Sequence, residues 1–181
     1  LYRNNAKIND DIYVTGNIGD SYVGLQILKR KIKVKKIESN YFVNEFFKPN
    51  IQIKLTEKLL KFANSSIDIS DGLITDLEKL INKQKLSYRL ELKNIPISAN
   101  LNKLLHLKNL KKLHFISQGD DYQILFTASP RKSEIITKIS KSLGIKISKI
   151  GKICSNLHKS QIIDQKGKKI HVKTKGYFHR F

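Results

Sequence analysis

Ser65-Ser66-Ile67-Asp68-Ile69-Ser70-Asp71-Gly72-Leu73 is the stretch on which the reading of the fold turns. Residues 65–69 have the composition of a short strand. From Gly72 to Gln84 the chain turns helical, with Leu73, Leu77, Leu80 and Ile81 at helical spacing. A strand that runs through a polar junction into a helix is the unit of an α/β protein. At such a junction backbone N–H groups and the helix dipole favour phosphate oxygens, and carboxylates favour a hard divalent cation. A plainer alternative stands beside this: Ser70 as an ordinary N-cap and Asp71 as a first-turn acid that complements the dipole. Asp76, on the helix itself, reads as a solvated acid.

Outward from this centre the same alternation recurs. Asp11 to Gly16 reads as a strand, Asn17-Ile18-Gly19 as a turn, and Asp20 to Arg30 as a helix capped by Asp20 or Ser21. The Gly16-x-x-Gly19 turn lacks the Lys-Ser/Thr ending of a P-loop and the third glycine of a dinucleotide fingerprint, so a structural role is expected for it. Residues 31–50 are basic, then aromatic (Tyr41, Phe42, Phe46, Phe47), and those rings are expected to pack on the core. Thr56 to Asn64 reads as a short helix, Ser87 to Lys93 as a half-buried strand, and Leu101 to Leu113 as a helix. A second acid window, Gly119-Asp120-Asp121-Tyr122, leads into a buried strand ending at Ala128. Beyond Ser129-Pro130 a helix follows, with Ile135, Ile136, Ile139 and Leu143 on one face. The end is strand-like: residues 146–153, then two short runs about the Asp164–Gly167 turn. The expected architecture is an α/β (α+β) layered domain, a mixed sheet covered by helices.

The chain has 181 residues, 35 Lys and Arg against 15 Asp and Glu, and a net charge of +20. Only five of the basic residues are Arg (Arg3, Arg30, Arg89, Arg131, Arg180), whereas base and phosphate recognition leans on the guanidinium. A lysine-rich module binding polyanions through charge is the alternative class; specific nucleic-acid recognition is not expected. In so basic a chain, two windows of carboxylates with no basic residue among them favour a site over solvated turns. No apolar run is long enough for a membrane span, and the start, Leu1-Tyr2-Arg3-Asn4-Asn5, is not a signal peptide. With Cys154 the lone cysteine, the cytoplasm is the expected compartment. The histidines show no zinc-ligand spacing, and no Gly-x-Ser-x-Gly elbow supports covalent catalysis. The sequence contains no Met and reads as part of a longer protein.

Several separated motifs converge. Arg3-Asn4-Asn5-Ala6, Asp10-Asp11-Ile12-Tyr13-Val14-Thr15-Gly16-Asn17-Ile18-Gly19, Asp68-Ile69-Ser70-Asp71-Gly72-Leu73 with Asp76-Leu77, Gly119-Asp120-Asp121-Tyr122, Ile150-Gly151-Lys152-Ile153 and Gly176-Tyr177-Phe178-His179 together resemble thiamine-monophosphate kinase, in the C-terminal part of that family. The broader kinship would be the ATP-binding superfamily of aminoimidazole ribonucleotide synthetase. The resemblance implies ATP-dependent phosphorylation of thiamine monophosphate to thiamine diphosphate with several Mg²⁺ ions. By position, Arg3 and Ser70 would contact ATP, Asp68 and Asp71 would hold magnesium, and Asp120 and Tyr177 would contact substrate.

The departures from the family pattern carry expectations too. Gln118-Gly119-Asp120-Asp121-Tyr122-Gln123 stands where Gly-Gly-Glu-Asp-Tyr-Glu is usual, so a shorter acid must reach the substrate and one charge is lost. The family's N-terminal domain, with most of the magnesium carboxylates and the dimer contact, has no counterpart in these residues. The whole sequence then reads as a single C-terminal kinase domain, inactive alone. It would work with an N-terminal half or through a homodimer, or else be an inactive remnant of the kinase.

Overall fold

The computed structural model describes residues 3–82, 84–157, 159–164 and 166–170. Seven strands form one sheet: β1 (Asp11–Thr15), β2 (Ser65–Asp68), β3 (Leu86–Glu91), β4 (Ile124–Ala128), β5 (Ile147–Ser155), β6 (Gln161–Ile163) and β7 (Lys169–Ile170), in the order β2-β4-β1-β5-β3-β6-β7. Neighbours are antiparallel except β3 and β6, which run parallel, so the sheet is mixed as expected. The α-helices are α1 (Asp20–Leu28), α2 (Lys36–Phe47), α3 (Ile53–Leu59), α4 (Leu73–Leu80), α5 (Ala99–Leu107), α6 (Lys112–Ile116) and α7 (Ser133–Leu143).

The period of two in the central strand sorts its side chains between two apolar layers. Ile12 and Val14 face a core built with Leu73, Ile74, Leu77 and Leu80 of α4, together with Tyr88, Leu90 and Ile150. Tyr13 points to the other face, where Phe126 and Ala128 of β4 pack with Leu55 and Leu59 of α3 and Ile136 of α7. Along β3, Tyr88 and Leu90 are buried and Arg89 is exposed, the alternation its sequence predicts. Beyond the sheet a third cluster joins α1, α2, α5 and α6 through Val23, Phe42, Leu101 and Phe115.

Several elements differ from the sequence reading: α3 runs Ile53–Leu59 against the expected Thr56 to Asn64, α4 ends at Leu80 short of Gln84, and two further differences have identifiable reasons. α2 forms in the basic-aromatic stretch that carries no helical stripe; Phe42 is its one fully buried residue, and the helix is held by packing on α1. The long helix expected over Leu101 to Leu113 is two helices. The chain leaves α5 at Lys108, takes a left-handed conformation at Asn109 (φ 48°) and re-enters helix at Lys112. No helix among the described residues is long and apolar enough to cross a membrane.

Phe126 is fully buried, stacks on Tyr13 at 5.2 Å between ring centroids and meets Phe62 edge-on at 5.4 Å. Phe126→Ala is expected to lower unfolding free energy by about 3–5 kcal/mol, read from the midpoint of a urea transition.

Candidate functional site

The loop between β2 and α4 is organised by a residue the sequence reading set aside. Asp76 is not solvated: it is fully buried in the first turn of α4. One of its carboxylate oxygens accepts the backbone N–H groups of Ser70 (2.9 Å), Asp71 (2.8 Å) and Gly72 (3.1 Å). The other accepts from Lys79 Nζ at 2.8 Å, and the same ammonium also bonds Asp71. Lys79 is held protonated: burial works against its charge, but the bonds to Asp71 and Asp76 outweigh that and raise its pKa. The N–H groups of residues 70–72 are therefore engaged by the chain's own acid, and among the described residues the Ser70 hydroxyl has no hydrogen-bond partner.

The second acid window folds onto this loop. Asp120 N–H donates to the Ser70 carbonyl at 3.0 Å, and Tyr122 N–H donates to the Ile69 carbonyl at 2.9 Å. The approach needs a glycine at 119, where a Cβ would lie 1.9 Å from the Ser70 carbonyl oxygen. Gly72 faces the same crowding, with a φ of 117° and a Cβ position 2.4 Å from the Ser117 carbonyl oxygen. The two loops and one face of α1 enclose a cleft of about 430 Å³ whose walls include Tyr22, Gln26, Lys29, Ser70, Asp71 and Asp120. Asp120 sits in a left-handed conformation (φ 69°) with its pKa raised, first by burial and then by the charge of Asp71, against the opposing charge of Lys29.

Asp121 turns away from the cleft into the head of α1. Both its oxygens accept the Gly19 N–H, at 3.0 and 2.9 Å. The cap residue of α1 is thus Gly19 in a left-handed conformation, and neither Asp20 nor Ser21 caps the helix as expected. Burial pushes the Asp121 carboxyl well above the ordinary range. Asp20, beside it, accepts the hydroxyls of Ser98 (2.7 Å) and Tyr41 (2.9 Å); burial drives its pKa up to about 6 despite those bonds. The glycine turn is structural, as expected, because a carboxylate of the protein fills it.

The site residues expected from sequence divide accordingly. Ser70, Asp71 and Asp120 share the cleft. Asp68 ends β2 with an exposed side chain and does not line that space. Arg3 is exposed near the other end of α4, where Asn4 N–H donates to the Leu80 carbonyl. Tyr177 lies outside the described residues. Asp76 and Lys79 were missed, although an acid in the first turn with a lysine three residues on is a readable signal. Among the described residues no group of three or more His, Cys, Asp or Glu side chains could hold a metal ion. Asp71 and Asp120 are two oxygen donors suited to a hard cation, short of the full set such an ion needs.

Replacing Asp76 with Ala strands three backbone donors and a lysine; a loss of about 3 kcal/mol or more is expected, measured by denaturant unfolding. The raised pKa of Asp20 has a definite sign. Its folded state binds the proton more tightly than the unfolded chain does, so its contribution is present at low pH and is lost as pH rises towards and through about 6. Relative to wild type, Asp20→Asn should therefore gain roughly 2–3 kcal/mol between about pH 4 and pH 8, seen in paired thermal melts at each pH.

No protein-family model matches the chain. It is 34% identical over 184 residues to the thiamine-monophosphate kinase of Buchnera aphidicola subsp. Acyrthosiphon pisum (99% of this chain, 55% of that protein). It is 36% identical over 181 residues to that of Buchnera aphidicola subsp. Schizaphis graminum, with the same coverage. In structure it is similar to AaThiL complexed with AMPPCP and TMP, at a TM-score of 0.77 and 23% identity over 98% of this chain and 54% of that one. The chain spans about half the length of the curated relatives it matches. By sequence and fold it belongs to the thiamine-monophosphate kinase family, as the counterpart of about half of such a protein.

Proposed function

We propose that this chain supplies the C-terminal half of a site that transfers the γ-phosphoryl group of ATP to thiamine monophosphate, giving thiamine diphosphate and ADP. The observation that carries the reading is the meeting of two distant acid motifs in one cleft, through the Asp120 N–H to Ser70 carbonyl bond. Two polyanions must be brought together for this reaction, and little covalent work is left to the protein. In this reading Asp71 presents an oxygen for Mg²⁺ together with Asp68, which stands outside the cleft at the end of β2, and Asp120 contacts the substrate, directly or through its metal. When bound, the metal offsets charge on the phosphoryl oxygens.

The other roles follow from what each group has free. The Ser70 hydroxyl meets a nucleotide phosphate, while its N–H serves Asp76. Arg3 and Tyr177 would contact nucleotide and substrate from the ends of the chain. The rest of the donor set would come from the other half of the protein or from a homodimer. Solution in the cytoplasm is part of the same proposal.

The test is calorimetric titration of Mg²⁺-ATP and thiamine diphosphate into the purified chain, alone and with a separately expressed N-terminal half of a family member. Binding that appears or tightens with that half and weakens at least about tenfold in Asp71→Asn is the expected result, with a smaller loss in Asp68→Asn. Silence from a folded chain in both conditions would mean an inactive remnant. Binding of polyanions that ignores both substitutions and falls steeply with salt would mark a charge-driven binding module.

A further inference from the structure

The cleft has a wall that the family resemblance does not account for. Tyr22, Gln26 and Lys29 stand on one face of α1, at successive turns, opposite Ser70, Asp71 and Asp120. Gln26 is only 9% exposed, yet among the described residues its side-chain amide makes no hydrogen bond, while its backbone carbonyl accepts from Lys31 and Ile32. The amide atoms themselves are not closed off from solvent, so the unpaired group looks into the cleft it lines. Two other polar groups of the cleft have their bonds: Asp71 holds Lys79, and Tyr22 meets His114 through its hydroxyl at 3.3 Å and its ring at 5.5 Å. The Gln26 amide is thus held in place by a packed helix and left open towards the cavity.

We propose that Gln26 reads the amine-bearing edge of a heteroaromatic ligand, and that Lys29 meets the phosphate carried by the same ligand. A carboxamide presents an acceptor and a donor side by side, which complements an exocyclic amine next to a ring nitrogen, the pairing by which glutamine reads adenine. Two ligands of the proposed reaction carry that edge: the aminopyrimidine of thiamine and the adenine of ATP. Lys29 is exposed at the end of α1 and makes no hydrogen bond or ion pair among the described residues, though its charge reaches Asp120. It is the cation that lines the cleft, facing the acidic wall and placed where a phosphate beside Asp120 would need one.

This inference rests on the kinase reading for its choice of ligands, and the experiment separates the two. The 181-residue chain, wild type and as Gln26→Leu, Lys29→Ala and Asp71→Asn, is titrated with thiamine, thiamine monophosphate, adenosine and AMP, with Mg²⁺ present, and binding is followed by NMR. Circular dichroism confirms that each variant is folded. Gln26→Leu is expected to weaken one ring family by about tenfold, with or without its phosphate. Loss in the thiamine pair places the substrate on α1; loss in the adenosine pair places the nucleotide there. Lys29→Ala should weaken only the phosphorylated member of that pair. Affinities within about twofold of wild type for all four compounds in Gln26→Leu would overturn the proposal, as would a folded wild-type chain that binds none of them. Failure of Asp71→Asn to alter phosphate binding, with the Gln26 effect intact, would instead count against the metal role and leave this inference standing.

Discussion

The Asp76 carboxylate is the interaction on which the site depends. A loop that turns into a helix carries backbone N–H groups outside any strand or helix ladder, and those donors normally look to solvent, a side chain or an anion. Here one buried oxygen of Asp76 collects the N–H groups of Ser70, Asp71 and Gly72, and the other holds Lys79, which in turn holds Asp71. Hydrogen bonds to a charged group contribute about 1.5–3 kcal/mol each, enough to offset the cost of burying the acid once Lys79 balances its charge. With its N–H side turned inward to Asp76, the loop shows its carbonyls to the other motif. Ser70 and Ile69 receive Asp120 and Tyr122, and the absent side chain of Gly119 lets the two backbones touch.

The same solution is used at α1, where Asp121 fills the turn at Gly19 with both carboxylate oxygens. Backbone N–H groups ahead of α4 and at the cap of α1 are therefore taken by the protein's own acids and are not open to phosphate. This shifts the burden of anion recognition. In a chain of net charge +20 the cleft still has Asp71 and Asp120 among its walls, so it draws cations first. Phosphates can enter only through what neutralises those acids: a bound metal in the proposed function, and Lys29 at the rim.

The sheet was legible wherever burial imposed a period of two. β1, β2, β3 and β5 stand within a residue or two of where alternation and short apolar runs put them, and α4 and α7 followed from their apolar stripes. α2 was not legible, because its stability lies in contact with α1 and a single buried ring, Phe42, and no stripe records that. Asp76 escaped for a different reason. An acid in the first turn of a helix is usually solvated, and only the inward turn of the loop before it converts that acid into a buried cap. The acid motifs were legible as types: Ser70, Asp71 and Asp120 do meet. The distance of Arg3 and the position of Asp68 outside the cleft depend on how the chain enters and leaves α4, which spacing along the sequence does not encode.

The protonation preference of Asp120 shows what kind of completion the cleft calls for. Burial and the charge of Asp71 both favour its neutral form, and Lys29 opposes them only at a distance. Asp71 is satisfied, by Lys79; the Asp120 carboxylate has no hydrogen bond or ion pair among the described residues. A half-buried carboxylate in that position gains more from a cation at its oxygen than a solvated one would, because less water has to be displaced and the local dielectric is lower. Gln26 has the complementary opening, an amide placed at the cleft with no hydrogen-bond partner among the described residues. One wall lacks a positive charge and the facing wall lacks a hydrogen-bonding partner, and a single phosphorylated, amine-bearing ring with its metal supplies both. Binding of that kind stabilises the folded chain by mass action, so occupation of the cleft and the stability of the loops around it are one equilibrium.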